Sequence, residues 1–248
     1  MAAFTSSGST RSTNRVERIS ISHDGGATFP KQNLTVAPVN DDFESPLPGS
    51  SFRQGSRTFP SLAIAADGTL YVAWAEHASG HAVVKVTKST DEGLTWSAPV
   101  TAGDVRGRSA FFSSVATDPA GNVDVVFQAM DDVAEGTPPG PGVVFYDTYL
   151  VRSTNGGATF SRPLKISTAS SDPDGSSTNS LGAQFLGDYI TAVADASHVY
   201  AVWTDSRNAR PCAAVDAFRA GTAGKPNVIT QCPTTFGNTD IFLGTATP

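Results

Sequence analysis

The sequence of 248 residues lacks any apolar run long enough to cross a membrane. A transmembrane helix needs about 20 consecutive apolar residues, so we expect no membrane insertion. The opening residues Met1-Ala2-Ala3-Phe4-Thr5 have neither the basic nor the apolar region of a signal peptide. The sequence therefore predicts a soluble chain without an export signal of its own.

Basic charge is also scarce. The chain has 17 Lys and Arg against 23 Asp and Glu, which gives a net charge of -6. A general nucleic-acid binder needs a basic face to neutralise phosphates, so we expect no nucleic-acid partner. The Walker loop, the dinucleotide fingerprint, the Gly-x-Ser-x-Gly elbow and histidines at metal-ligand spacing are missing too. No cofactor is predicted to be required.

Cysteine occurs only twice, at Cys212 and Cys232, in a segment rich in proline, glycine and alanine. We predict a disulfide between them, because a loop of this composition gains order from a cross-link. Two free thiols are the alternative, which spacing alone does not exclude. A disulfide would place the protein in an oxidising compartment and favours a secreted or extracellular location.

Turn-forming and strand-forming residues are abundant instead. There are 23 Gly and 16 Pro, together with many Thr, Ser and Val. This composition is typical of short strands joined by many turns. No amphipathic pattern extends beyond about two helical turns, so we predict an all-β protein in a single domain, 1–248.

A motif of eight residues occurs three times. It starts with serine, carries Asp or Asn at the third position and Gly at the fifth, and ends in Thr followed by an aromatic residue. The copies begin 67 and then 64 residues apart, at Ser22, Ser89 and Ser153. In a tight hairpin the Asp or Asn binds backbone N–H groups, the Gly adopts a positive φ, and the aromatic fills space under the turn. The motif is therefore predicted to be structural.

A second repeated unit lies between these motifs and has the pattern strand, Asp/Gly turn, strand. One more strand leads into each eight-residue motif and another follows it, so each repeat predicts four antiparallel strands, as in a propeller blade. The predicted blades, the first of them partial, cover residues 16–37, 58–101, 110–168 and 185–246.

These repeats resemble the sialidase-like β-propellers with BNR or Asp-box repeats, over nearly the whole chain. The resemblance implies a propeller of four-stranded antiparallel blades, with about three and a half blades here, similar to the C-terminal part of a secreted bacterial member. Blades missing at the N-terminus, or homo-oligomerisation through open strand edges, are the expected consequences.

The resemblance also indicates where a site would lie. We expect it on the face opposite the three eight-residue motifs, which we call Asp-boxes from this resemblance. First strands start and second strands end on that face. In sialidases an arginine cluster binds the sugar carboxylate, a tyrosine attacks the anomeric carbon, and carboxyl groups act as acid and base. On this face the candidates for substrate binding are Arg57, Arg108 and Arg207, and those for catalysis are Tyr189, Asp188, Glu76, Asp131 and Asp205.

Each of these roles has a plainer alternative. The arginines can pair with neighbouring carboxylates, Tyr189 can serve packing, and the acidic residues can be solvated loop charges. The Arg-Ile-Pro motif of sialidases has no match, since the nearest strings are Phe52-Arg53-Gln54-Gly55 and Arg57-Thr58-Phe59-Pro60.

One acidic loop suggests a metal. Asp172 and Asp174 lie close together beside Gly175, an arrangement of oxygen ligands that calcium prefers. The loop lacks the distal Glu of an EF-hand, and an ordinary polar turn is the alternative.

Three functions follow from the sequence. The first is a secreted, glycan-directed propeller that acts as a sialidase-type exo-glycosidase on a carbohydrate or glycoconjugate. The second is a non-catalytic module that binds carbohydrate or protein. The third is another hydrolase on the same scaffold, because a fold does not fix a reaction.

Overall fold

The computed structural model describes residues 15–40, 59–78, 80–132, 142–187 and 189–247. Within these residues the chain is nearly all β, and the strands form four antiparallel sheets. The strands are β1 (Arg15–Ile21), β2 (Lys31–Val39), β3 (Ser61–Ile64), β4 (Leu70–Ala78), β5 (His81–Ser89), β6 (Val100–Gly103), β7 (Arg108–Thr117), β8 (Val123–Asp131), β9 (Tyr146–Ser153), β10 (Leu164–Lys165), β11 (Thr191–Ala194), β12 (Val199–Asp205) and β13 (Asp240–Ala246).

The sheets follow the order of the chain. The first contains β1 and β2, the second runs β3-β4-β5-β6, the third β7-β8-β9-β10, and the fourth β11-β12-β13. Each strand therefore pairs with its sequence neighbour, which short turns make possible. The predicted four-stranded antiparallel sheets are present.

The second strands of the second and third sheets, β4 and β8, are buried on both faces over most of their length. In β4, Leu70, Val72 and Trp74 pack against the first sheet, whereas Tyr71 and Ala73 pack against the third sheet. Alternate side chains of a strand point to opposite faces, so burial on both faces requires a sheet on each side. The sheets consequently stack face to face in the order of the chain, as propeller blades do.

Serine side chains join the first strands of successive sheets. The Val115 N–H of β7 donates to Ser61 Oγ of β3 at 3.1 Å. The Ala192 N–H of β11 donates to Ser114 Oγ of β7 at 2.9 Å. These bonds satisfy backbone donors that have no ladder partner there, and they hold the innermost strands side by side.

The three Asp-boxes share one hydrogen-bond pattern. In the second box Ser89 Oγ donates to Asp91 Oδ1 at 2.7 Å and accepts from the Gly93 N–H at 2.8 Å. Asp91 also accepts from the N–H and the hydroxyl of Thr95, at 2.9 and 2.6 Å. These bonds lower the pKa of Asp91 to about 2, with the Thr95 hydroxyl as the largest cause.

Asn replaces Asp in the third box without changing its geometry. Asn155 Oδ1 accepts from Ser153 Oγ at 2.8 Å and from the Thr159 N–H at 3.0 Å. Its amide then donates to Thr159 Oγ1 at 2.9 Å, where the aspartates accept instead. The boxes are structural turns, as the sequence predicts.

Each later box also touches the preceding sheet. Gly93 has φ +79°, and a Cβ there would lie 3.0 Å from Ile21 Cδ1 of the first sheet. Both the conformation and the space require glycine. In the third box, the carbonyl of Gly156 accepts from Lys88 Nζ of the second sheet at 2.8 Å.

A helical insertion separates β12 from β13. It contains α1 (Ala213–Arg219) and α2 (Val228–Gln231) and is closed by the disulfide between Cys212 and Cys232. The predicted disulfide is thus confirmed. Neither helix has the length and apolar composition that would let the described part of the chain span a bilayer.

Replacing Ser89 with alanine should destabilise the protein. The hydroxyl of Ser89, which is 1% exposed, bridges Asp91 and the buried Gly93 N–H, and its loss leaves that donor unpaired at a cost of about 1–3 kcal/mol. Chemical denaturation measures the change. Leu94→Ala in the same loop, where the side chain is 55% exposed, is the control, and equal stability of the two variants would contradict the assignment.

Replacing Gly244 with alanine should also destabilise the fold. A Cβ at Gly244 would lie 2.6 Å from Trp203 Cη2, and such overpacking costs about 1–3 kcal/mol. The matched control is Gly224→Ala, because a Cβ at Gly224 meets nothing within 4 Å. Thermal unfolding compares the two variants, and a Gly244→Ala protein as stable as Gly224→Ala would refute the close packing.

Candidate functional site

The candidate site lies on the edge of the sheets opposite the Asp-boxes, which we call the site face. First strands start there and second strands end there. Of the predicted residues, Arg57 and Asp188 fall outside the described residues. The others can be placed.

Arg108 links two carboxylates at the start of β7. Its Nη2 lies 2.8 Å from Asp131 Oδ1 at the end of β8, and its Nη1 lies 2.8 Å from Asp147 Oδ2 at the start of β9. The antiparallel register brings these strand ends together, since Arg108 is directly opposite Asp131. Arg108 therefore bridges three neighbouring strands, and Asp131 retains a side chain that is 32% exposed.

Asp147 is the buried centre of this group. Its side chain is 2% exposed and lies 2.7 Å from Lys165 Nζ. It also accepts from the hydroxyls of Ser167 and Ser170, both at 2.9 Å. Burial alone raises the pKa of Asp147, but the bonds from Lys165, Ser167 and Ser170 outweigh it and leave the pKa below its ordinary value. Asp147 is consequently an ionised anchor, and sequence reasoning missed it.

Asp205 and Arg207 form a second ion pair at the end of β12. Arg207 Nε and Nη2 donate to the two Asp205 oxygens at 2.9 and 2.6 Å, a bidentate arrangement. Burial raises the pKa of Asp205, yet the hydrogen bonds from Arg207 and Ser171 bring it below the ordinary value. The guanidinium also lies over the Phe242 ring, 4.1 Å from its centroid.

The segment 167–171 lies between the two ion pairs and is bound to both. Asp147 holds Ser167 and Ser170, as described above. On the other side, Arg207 Nη1 donates to Thr168 Oγ1 at 2.7 Å, and Ser171 Oγ donates to Asp205 Oδ1 at 2.7 Å. The predicted arginines Arg108 and Arg207 therefore flank one hydroxyl-rich loop, each paired with a carboxylate.

Glu76 and Asp205 occupy equivalent positions, two residues after the tryptophan of a second strand. Trp74 Nε1 donates to Glu76 Oε2 at 2.9 Å, and Trp203 Nε1 donates to Asp205 Oδ2 at 3.2 Å. A buried indole N–H needs an acceptor, and these two carboxylates supply it for Trp74 and Trp203. The repeated Trp-x-acid pattern was the signal in the sequence that could have shown this.

Two tyrosines on this face differ sharply. Tyr189, two residues before the first strand of the fourth sheet, β11, is 80% exposed. Tyr146 is 1% exposed, and its hydroxyl accepts from the Ser206 N–H at 2.9 Å. Burial is the main cause of its strongly raised pKa. Tyr189 alone of the two offers its ring to a ligand.

Asp172 and Asp174 belong to a 3-10 turn, Pro173–Gly175, under the helical insertion. Asp172 accepts from the N–H groups of Asp174 and Gly142 at 2.9 and 2.8 Å. Asp174 accepts from the Gln184 amide and lies 3.8 Å from Arg219 Nη1. No group of three metal-ligating residues occurs within the described ranges, and the calcium site gains no support from them.

Arg219 fixes the insertion to the loop beneath it. Its side chain is 3% exposed, and it donates to the carbonyls of Leu181 and Ser176 at 3.1 and 2.8 Å. Asp216 lies 3.9 Å from the same guanidinium. Burial, followed by the charge of Asp174, raises the pKa of Asp216 to about 6. Arg219 thus anchors the insertion to the segment that contains Ser176 and Leu181.

The fold can be compared with solved structures. The phage phi92 endosialidase matches 94% of this chain and 32% of its own, with 9% identity and a TM-score of 0.52. A Hadza microbial sialidase matches 59% of this chain and 32% of its own, with 19% identity and a TM-score of 0.43. An α-L-arabinofuranosidase from Fusarium graminearum matches 95% and 68%, with 12% identity and a TM-score of 0.46.

These likenesses concern the fold alone. The endosialidase overlay, together with the sheets, confirms the predicted β-propeller fold with four-stranded antiparallel blades. The chain spans about a third of the length of the two sialidases. No model of a protein family and no curated protein matches the sequence, and membership of the Asp-box family stays a prediction.

The stability of the insertion should depend on Asp216 and pH. Its folded pKa of about 6 lies above the ordinary 3.8, so its contribution is fully present at low pH and is lost as the pH rises through about 6. Asp216→Asn should match the parent near pH 4 and exceed it in melting temperature near pH 7.

Asp195→Asn is the contrasting control for Asp216. Hydrogen bonds from Ser197 and His198 lower the pKa of this turn carboxylate to about 2, so its stabilisation is lost only in acid. Melting curves across the pH range decide, and a constant difference between Asp216→Asn and the parent at every pH would contradict the raised pKa.

Proposed function

We propose that this chain is part of a glycan-directed propeller and binds carbohydrate on its site face. The single observation that carries the proposal is Tyr189, a ring that is 80% exposed two residues before β11. The C–H groups of a sugar ring pack on an aromatic face, while its hydroxyls need charged or polar partners. Asp131 and Arg108, at the end of β8 and the start of β7, supply such partners on the same face.

The rim of this site is rigid. Arg108, Lys165 and Arg207 are each held by carboxylates, at 2.8, 2.7 and 2.6 Å. Preorganised polar groups lose little entropy when a ligand binds. A neutral or weakly charged glycan fits this arrangement better than a strongly anionic one, because the positive charges are already balanced by Asp131, Asp147 and Asp205.

Sialidase-type exo-glycosidase activity is the second candidate. Glycoside hydrolysis uses a pair of carboxyl groups near the scissile bond, and Arg108 holds Asp131 and Asp147 on either side of itself. Asp131 is the more exposed of the two, and Tyr189 offers a hydroxyl of the kind that sialidases use as nucleophile. Asp188, Glu76 and Asp205 remain proposed contributors to this reaction.

A secreted location completes the proposal. The disulfide between Cys212 and Cys232 is stable in an oxidising compartment, and extracellular glycans are found in such compartments. The glycan enzymes among the solved structures that share features of this fold support the substrate class only by analogy.

Glycan binding by the intact chain tests the proposal. A panel of immobilised neutral and sialylated glycans should identify a ligand, and Tyr189→Ala should weaken its binding by about tenfold or more, as losing an aromatic anchor does. Ile229→Ala, which removes an 89% exposed side chain from α2, is the matched control. If no glycan binds, or if Tyr189→Ala binds as well as the parent, the proposal is wrong.

Turnover of fluorogenic sialosides and other aryl glycosides separates the two candidates. Hydrolysis that is lost in Asp131→Asn, while binding persists, would establish the enzyme. Binding without any turnover would leave a non-catalytic module.

A further inference from the structure

The outer face of the fourth sheet exposes apolar residues at positions that are buried in the other blades. We call this surface, formed by the outward side chains of β11, β12 and β13, the terminal face. Val202, Ile241 and Leu243 on it are 38%, 71% and 65% exposed. Large exposed apolar patches mark surfaces that bind another protein element.

Strand register shows that these positions are equivalent between blades. Trp74, Phe127 and Trp203 are the aromatic residues of the second strands, and the residues immediately before them are Ala73, Val126 and Val202. Their partners on the third strands are Val86, Leu150 and Leu243, respectively.

The same positions differ in burial. Ala73 and Val126 are 0% exposed, and their partners Val86 and Leu150 are 2% and 1% exposed. In the second and third sheets, therefore, this face is covered by the following sheet, and only in the fourth sheet does it face outward. The pattern of residues is that of an interior surface.

Within β11, β12 and β13 the terminal face carries no charged side chain. Asp195, which accepts from the Tyr200 hydroxyl at 3.0 Å, lies at its edge. The outward residues of the face, in strand order, are Thr191, Val193, Tyr200, Val202, Thr204, Ile241, Leu243 and Thr245. The water-facing side of a sheet usually carries charged or strongly polar side chains. This surface is instead composed for contact with another apolar sheet.

The three existing contacts define what covers such a face. The first sheet is covered by Leu70, Val72 and Trp74, and the second by Val123, Val125 and Phe127. The third is covered by Val199, Ala201 and Trp203. In each case the cover is a second strand with an aliphatic residue, another aliphatic residue two positions later, and Trp or Phe two positions after that.

We propose that the terminal face is the docking surface for a further antiparallel blade whose second strand has this aliphatic-x-aliphatic-x-Trp/Phe pattern. The aromatic residue of that strand packs over Val202 and Leu243, as Phe127 packs against the second sheet. The interaction repeats the interface between the blades described here and is independent of glycan binding.

A fusion protein tests the proposal directly. A copy of residues 59–104, which contain the second sheet, is attached through a flexible linker to the end of the full chain. Its second strand presents Leu70, Val72 and Trp74 to the terminal face. We expect a melting temperature higher by about 5 °C or more, loss of most binding of an apolar fluorescent dye, and a monomer in sedimentation.

Two variants of the fusion protein show whether the gain comes from this contact. Leu243→Asp in the parent part should abolish the gain, because it places a charge under the added sheet. Ile229→Asp, on α2, is the matched control and should leave the gain unchanged. Trp74→Asp in the added copy alone should act like Leu243→Asp.

Each other result rejects the proposal. An added sheet that stays unfolded, or leaves dye binding and melting unchanged, shows that the pattern does not fit the face. If instead the unfused chain forms a dimer that Leu243→Asp dissociates, a second copy is the occupant. A gain that survives Leu243→Asp places the contact elsewhere.

Discussion

Burial on both faces of the second strands β4 and β8 is the constraint on which the rest of this structure depends. In β4, Leu70, Val72 and Trp74 lie on one face, and Tyr71 and Ala73 lie on the other. These apolar side chains are shielded from water only if a sheet packs on each side of the strand. Successive sheets must then stack, and their first strands come together through Ser61 and Ser114. The direction of every strand end, and hence the position of the site face, follows from this stacking.

Charged residues on the site face stabilise the fold in addition to any role in ligand binding. Asp147 and Asp205 are each 2% exposed and are tied to Lys165, Arg108 and Arg207 by short contacts. Removing one member of such a buried pair would leave the other charge buried without a partner. The face is therefore a rigid polar rim, on which the exposed ring of Tyr189 is the most available feature for recognition.

Local chemistry explains which predictions came from the sequence. The Asp-box is specified within eight residues, because Ser, Asp or Asn, Gly and Thr bind one another and the backbone of the same turn. The four-stranded repeat and the disulfide loop are also short-range patterns. Arg108 and Arg207 could be assigned to one face from strand order, but two of their partners could not. Asp147 lies 39 residues from Arg108, and Thr168 lies 39 residues from Arg207.

The sequence by itself determined the strands, the turns and their repeat, because hydrogen bonds within a hairpin and alternation along a strand act between near neighbours. Tertiary structure alone decided which carboxylates became buried anchors and which side chains stayed exposed. Asp147 and Asp131 look alike in the sequence, yet one is 2% and the other 32% exposed. Burial and pairing depend on groups that are distant in the chain, so only the folded arrangement of sheets sets the charge, pKa and accessibility of each residue.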